Sequence, residues 1–187
     1  MDTSQVAFIL VAALVVIGVA AFWTLLRRRR SEALQRTFGS SYDRAVERHG
    51  SRARAEADLE ARQRRFEKAQ IRALAEADRN RYLELWRGIQ ARFVDNPAAA
   101  VGEADYLVAE VMRVRGYPAG DFEQRLADVA IGHPHLVGHY RGACEISERS
   151  RNGRASTEDL RQALVHYRAL FDDLLSARER EAAAVRH

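Results

Sequence analysis

The stretch STEDLRQALVHYRALFDDLL, Ser156 to Leu175, decides the fold of this chain. Leu160, Leu164, Tyr167, Phe171 and Leu174 recur with the 3.6-residue period of one helical face. Ser156 and Asp159 open it with the spacing of a capping box, in which each side chain can accept the other residue's backbone N–H. Just ahead, Asn152-Gly153 marks a turn. Reading backwards, the same grammar repeats. His133-Pro134 should cap a helix with Leu136, Tyr140, Ala143 and Ser147 on one side, and Asp121 to Gln124 reads as a capping box opening a helix with Phe122, Leu126 and Val129. Asn96-Pro97 supplies an N-cap and first-turn proline for a helix whose apolar face is Val101, Ala104, Val108, Val111 and Met112. Gly116 has the place of its left-handed C′ residue, with Tyr117 next and Pro118 preventing continuation. Tyr82, Trp86, Ile89 and Phe93 line one face of the helix before that. No segment alternates with a two-residue period between turn signals, so no sheet is expected. The fold class is all-α: an irregular bundle of four or five helices over residues 74–176, with a charged tail over 177–187.

Residues 41–70 have a different texture. From Arg44 to Gln70 the only large aliphatic or aromatic residues are Val46, Leu59 and Phe66, set among Ala, Arg and Glu. Such a segment favours helix but carries a thin apolar stripe. It reads as a charged helical arm without the sustained heptads of a coiled coil. Ser40 and Asp43 resemble a capping box for its start, and Gly50-Ser51 is a point where it can break or bend.

The N-terminal end is apolar. Val6 to Leu26 is a run of 21 apolar or small residues that stops at Arg27, Arg28, Arg29 and Arg30. At 1.5 Å per residue the run extends about 31 Å, which matches a bilayer hydrocarbon core of roughly 30 Å. Only Met1 to Gln5 precede it, without Lys or Arg, so the positive-inside rule puts residues 27–40 and all that follows on the cytoplasmic side. A signal peptide would carry its positive charge before the apolar run. The expected location is the cytoplasmic membrane, crossed once at 6–26, with residues 1–5 outside. Trp23 and Arg27 to Arg30 are the expected lipid contacts, the arginines meeting anionic headgroups.

Charge argues against nucleic acid. Of 30 basic residues, leaving out Arg27 to Arg30 leaves 26, equal to the 26 acidic ones. The basic excess thus sits beside the membrane, whereas a nucleic-acid face needs unbalanced positive charge on the folded domain. Cys144, the single cysteine, rules out an internal disulfide and lies in an apolar-periodic stretch, which suits a small core residue better than a reactive thiol.

Several residues are candidates for a site. His135 and His139 are four apart and close to His133, a spacing that could bring imidazoles together for a metal-dependent hydrolase. No HExxH context accompanies them, and His133 has a turn position to fill. His139-Tyr140-Arg141 recurs as His166-Tyr167-Arg168, where a paired anion site competes with two independent amphipathic patterns. Arg115, Tyr117, Phe122 and Arg125 combine aromatics and arginines around a turn, a composition that suits a partner surface, although helix stop and start signals account for much of that stretch. No catalytic residue, cofactor or metal is assigned.

The strings FGSSYDRAV (Phe38 to Val46), RYLELW (Arg81 to Trp86), FVDNP (Phe93 to Pro97), RGYPAGDFEQR (Arg115 to Arg125), HPHLVGHYR (His133 to Arg141) and STEDLRQALVHYRALF (Ser156 to Phe171) resemble a family of short, single-pass, membrane-anchored bacterial proteins with no established activity. The resemblance covers most of the chain after the apolar run. In that family an acidic residue is common where Ser41 stands, proline where Ala73 stands and histidine where Cys144 stands. It implies anchoring and helical architecture and carries no mechanism. The expected role is a membrane-anchored interaction or scaffold module for a protein partner, with a metal-dependent hydrolase and a lipid-surface sensor as the competing classes.

Overall fold

The computed structural model describes residues 3–184, with the side chains of residues 17–19 and 21–176. Among the described residues the chain is all-α, without a strand, and divides into two compact units, Met1–Glu60 and Ala61–His187.

The first unit holds α1 (Thr3–Phe38), α2 (Ser40–His49) and the start of α3 (Arg52–Lys68). Among the described residues no helix is long and apolar enough to cross a membrane. The expected span, Val6 to Leu26, falls on α1, but the side chains of its residues 6–16 and 20 lie outside the described residues. After Phe38 the chain turns at Gly39, which is the N-cap of α2 and makes no side-chain cap bond. The N-cap position therefore belongs to Gly39 and not to Ser40, which is the first residue of the helix, and Ser41 and Tyr42 are buried. The helix breaks at Gly50-Ser51, so the single charged arm expected over 41–70 is two helices. Tyr42 and Ser31 both donate to the Glu56 carboxylate, the former at 2.7 Å, and Arg30 pairs with Glu60. These pairings run the start of α3 back along the end of α1. Leu34, Phe38, Tyr42, Ala45, Ala55 and Leu59 are buried, which removes their apolar surface from water at about 25 cal/mol per Å².

The second unit takes in the rest of α3 and α4 (Glu76–Phe93), α5 (Pro97–Arg115), α6 (Phe122–Gly132), a single 3-10 turn (Pro134–Leu136), α7 (Val137–Arg151) and α8 (Thr157–Ala184). Its helix ends follow from local chemistry. Asn96 accepts from the Ala99 N–H at 3.1 Å with Pro97 in the first turn. At the other end of α5 the Gly116 N–H reaches the Arg113 carbonyl and the Tyr117 N–H the Met112 carbonyl, a Schellman ending. Ser156 and Asp159 cap one another's N–H groups at 2.9 and 3.1 Å. Asp121 accepts from the Gln124 N–H at 2.8 Å, but the Gln124 side chain turns inward to Asp128 rather than completing a box.

α8 is the spine, packed against α7 and α5, with α4 on α5. Trp86 stacks on Phe171 with centroids 4.7 Å apart. The buried stripe of α8 runs through Leu160, Ala163, Tyr167, Leu170, Phe171, Leu174 and Leu175, whereas Leu164, expected on the core face, is only partly buried. Phe66, in the expected arm, packs on this core with its ring 6.1 Å from that of Tyr117. α8 continues into the expected tail at 177–187, whose side chains lie outside the described residues.

Candidate functional site

The Schellman turn after α5 places Tyr117 at the first position beyond the helix stop. There its hydroxyl meets Nε2 of His133, the residue that ends α6. On the other side of the ring, His133 Nδ1 meets the Asp173 carboxylate of α8, and His135 Nε2 lies 3.4 Å from the second Asp173 oxygen. The set is satisfied with the phenol donating to Nε2 and Nδ1–H donating to the carboxylate. This is the polarity of a proton relay, with a phenol as its terminal group. Its surroundings close it, however. Tyr117 and His133 are buried, Phe66 covers the tyrosine, and a Cβ at Gly132 would meet Phe66 at 3.2 Å and the phenol oxygen at 3.8 Å. The arrangement acts as a clamp joining the α5–α6 loop, the end of α6 and α8.

Arg115 completes the clamp. It is buried, donates to the Leu174 carbonyl at 3.0 Å and the Arg72 carbonyl at 3.1 Å, and lies 5.5 Å from the centre of the Tyr117 ring. A buried guanidinium needs such acceptors to offset its lost hydration. Of the residues expected to form a partner surface, two are interior and two, Phe122 and Arg125, are half-buried. Arg115 and Tyr117 are interior, Phe122 lies 6.1 Å from the Tyr140 ring, and Arg125 donates to the Tyr140 hydroxyl at 2.8 Å.

The three histidines at 133, 135 and 139 do not converge. His133 and His135 share Asp173, while His139 approaches His166, Nδ1 to Nδ1, at 2.9 Å. The 3-10 turn at Pro134–Leu136 interrupts the helical register between residues 135 and 139. Among the described residues no group of three or more His, Cys, Asp or Glu is placed to hold a metal ion. The recurring His-Tyr-Arg triplets face each other across α7 and α8. Tyr140 and Tyr167 meet edge to face inside, with centroids 6.4 Å apart, and the two histidines meet outside. Burial, and then the neighbouring His139, lowers the His166 pKa. The arginines do not form an anion site. Arg141 faces Glu145, and Arg168 donates to Asp172 and lies over the Trp86 ring.

Cys144 sits between these elements, with the Tyr167 hydroxyl 3.5 Å from Sγ and 3.0 Å from Ser147 Oγ. Burial pushes its thiol up to about 11, which keeps it protonated and unreactive at neutral pH. Asp128 is fully buried, accepts from the Gln124 side chain at 2.7 Å, and is raised to about 6 chiefly by burial.

Beside Trp23, which is exposed, α1 carries Arg27 to Arg30, all exposed. Arg27, Arg28 and Arg30 line a cavity of about 680 Å³ with Arg52, Glu56 and Glu60 of α3. Comparison of the chain with protein-family models, with curated proteins and with solved structures gives no match. The clamp joins residues 16 and 40 positions apart, and nothing in the local pattern marks them as partners. The pairing of the two His-Tyr-Arg triplets had a signal, their repetition on two amphipathic faces.

Proposed function

We propose that this chain is a single-pass, membrane-anchored helical interaction module, holding its second unit at the cytoplasmic face for a protein partner. The observation that carries the reading is the apolar run Val6 to Leu26 ending on four exposed arginines. Its length suits the hydrocarbon core, and the arginines suit the inner headgroup layer. For the partner, support comes from the α4–α5 face. Leu85 and Tyr106 are 44% and 73% exposed there and border a groove of about 520 Å³ that also includes Tyr82, Ile89 and Leu107. An aromatic and aliphatic surface of this kind is what interface hot spots use.

Topology supplies the test. A reporter active only in the cytoplasm, fused after His187, is expected to work, and one active only outside is expected to be silent. The reverse pattern overturns the orientation, and recovery of the full chain in the aqueous fraction without detergent overturns the anchor.

A further inference from the structure

We infer that the cavity between the end of α1 and the start of α3 is a discrete binding site for the phosphate of an anionic phospholipid headgroup, an inference that rests on the anchored reading above. The cavity, about 680 Å³, lies within the size range of ligand clefts and takes four arginines, Arg27, Arg28, Arg30 and Arg52, into one wall system. Three glutamates also line it, and the arrangement of their partners decides its charge. Glu60 is held by Arg30. Glu56 accepts from Ser31 and Tyr42, with Arg52 Nε 3.8 Å away. Glu32 faces Arg36, which is outside the cavity, at 3.8 Å. The acids are thus matched one for one, and the positive charge of Arg27 and Arg28 remains for an incoming anion.

Arg52 is positioned for the same task. Its Nε donates to the buried Tyr42 hydroxyl at 2.8 Å, and its guanidinium lies 5.9 Å from the centre of that ring. The guanidinium fork matches phosphate geometry better than a point charge does. Depth agrees as well. From Arg27 to Ser31 an α-helix rises about 6 Å, and the headgroup layer beyond each side of the hydrocarbon core is roughly 5–8 Å thick. The cavity therefore begins where the apolar run ends, at the level of lipid phosphates. Arg29 belongs to the same basic run but does not line the cavity. That separates a built site from diffuse attraction, which treats all four neighbouring arginines alike.

The test uses the full chain released from membranes in mild detergent and mass-measured intact with its retained lipid. The probes are phosphatidylglycerol, phosphatidylcholine and inorganic phosphate. One phosphatidylglycerol per chain is expected on the native protein, with little phosphatidylcholine. Arg28→Gln and Arg52→Gln are each expected to cut retention by about tenfold, the loss of one charge-assisted contact, whereas Arg29→Gln stays within about twofold. Arg28→Gln guards against misfolding of the Arg52 variant, since Arg52 also supports Tyr42. Equal losses for Arg28→Gln and Arg29→Gln, or no preference for phosphatidylglycerol over phosphatidylcholine, overturn the site. Displacement of the lipid by millimolar inorganic phosphate overturns the headgroup assignment in favour of free phosphate. A chain that stays in the membrane fraction yet selects no lipid sinks this inference alone; a chain that never enters the membrane sinks the anchored reading with it.

Discussion

Replacing Gly116 by alanine separates two costs that are usually confounded, and Gly153 provides the control. Both glycines have positive φ, 92° and 66°, so alanine at either position incurs the left-handed backbone penalty of about 1–2 kcal/mol. Their surroundings differ. A Cβ at Gly153 meets nothing within 4 Å, while one at Gly116 comes to 2.5 Å from the Gln70 carbonyl oxygen and 3.3 Å from its carbon. The obstacle is backbone and it is tied down: the Arg72 N–H donates to the Arg115 carbonyl at 2.8 Å, and Arg115 Nε donates to the Arg72 carbonyl at 3.1 Å. Moving the link aside strains one or both bonds, each worth about 0.5–1.5 kcal/mol. Gly116→Ala is therefore expected to cost about 2–4 kcal/mol and Gly153→Ala about 1–2. Urea denaturation of the full chain in detergent reads this through Trp86, stacked in the core on Phe171, in a Trp23→Phe background that silences the chain's only other tryptophan. Equal costs at the two glycines, or a Gly116→Ala cost below about 0.5 kcal/mol, would refute the argument that the link presses on this turn.

Three further outcomes follow from burial. On α8, Phe171→Ala is expected to cost about 3–5 kcal/mol and the half-buried Leu164→Ala only about 1–2, measured in the same denaturation assay. Asp128 has its pKa raised from 3.8 to about 6, so between those values the folded state binds more protons than the unfolded one. Stability should then fall by about 2 kcal/mol as pH rises through that window, and urea midpoints at the two ends should show a weaker fall in Asp128→Asn. The Cys144 thiol, pushed up to about 11 by burial, is expected to react with iodoacetamide at pH 8 roughly a hundredfold more slowly in the folded chain than in urea, as followed by mass.

Helix ends were legible because their chemistry is local. Asn96, Gly116, Asp121 and Ser156 each act within four residues of themselves, and each does in the structure what its spacing implies. Where the reading failed, a tertiary demand outbid the local one. Gln124 had a backbone N–H to reach at Asp121 but turns inward to the buried Asp128. Gly39 takes the N-cap position expected for Ser40, and Ser41 and Tyr42 are buried. His135 and His139 share one face only at 100° per residue, and the three-residue 3-10 turn at Pro134–Leu136 breaks that register. The clamp of Tyr117, His133 and Asp173 was not legible at all. Tyr117 and His133 each have a local explanation at a helix end, Asp173 carries no local signal, and only the packing of α6 and α8 shows that they share a task.

The expected arm shows the same limit in a form that bears on function. Counting large apolar side chains over residues 41–70 finds Val46, Leu59 and Phe66, too few for a full stripe. Burial is nevertheless achieved, because Ala45 and Ala55 are buried and small residues let helices approach closely, with Tyr42 bridging to Glu56 by its hydroxyl. A segment rich in Ala, Arg and Glu can thus fold back on its neighbour through short side chains and ion pairs. The acids of α3 that do this, Glu56 and Glu60, are consumed by Ser31, Tyr42, Arg30 and Arg52. Their consumption is also what leaves Arg27 and Arg28 unneutralised. Fold and proposed lipid contact therefore draw on one set of charges. In Glu60→Gln, Arg30 loses its partner while Arg52 keeps its bond to Tyr42, so stability should fall and lipid retention should rise, which a merely structural pairing would not produce.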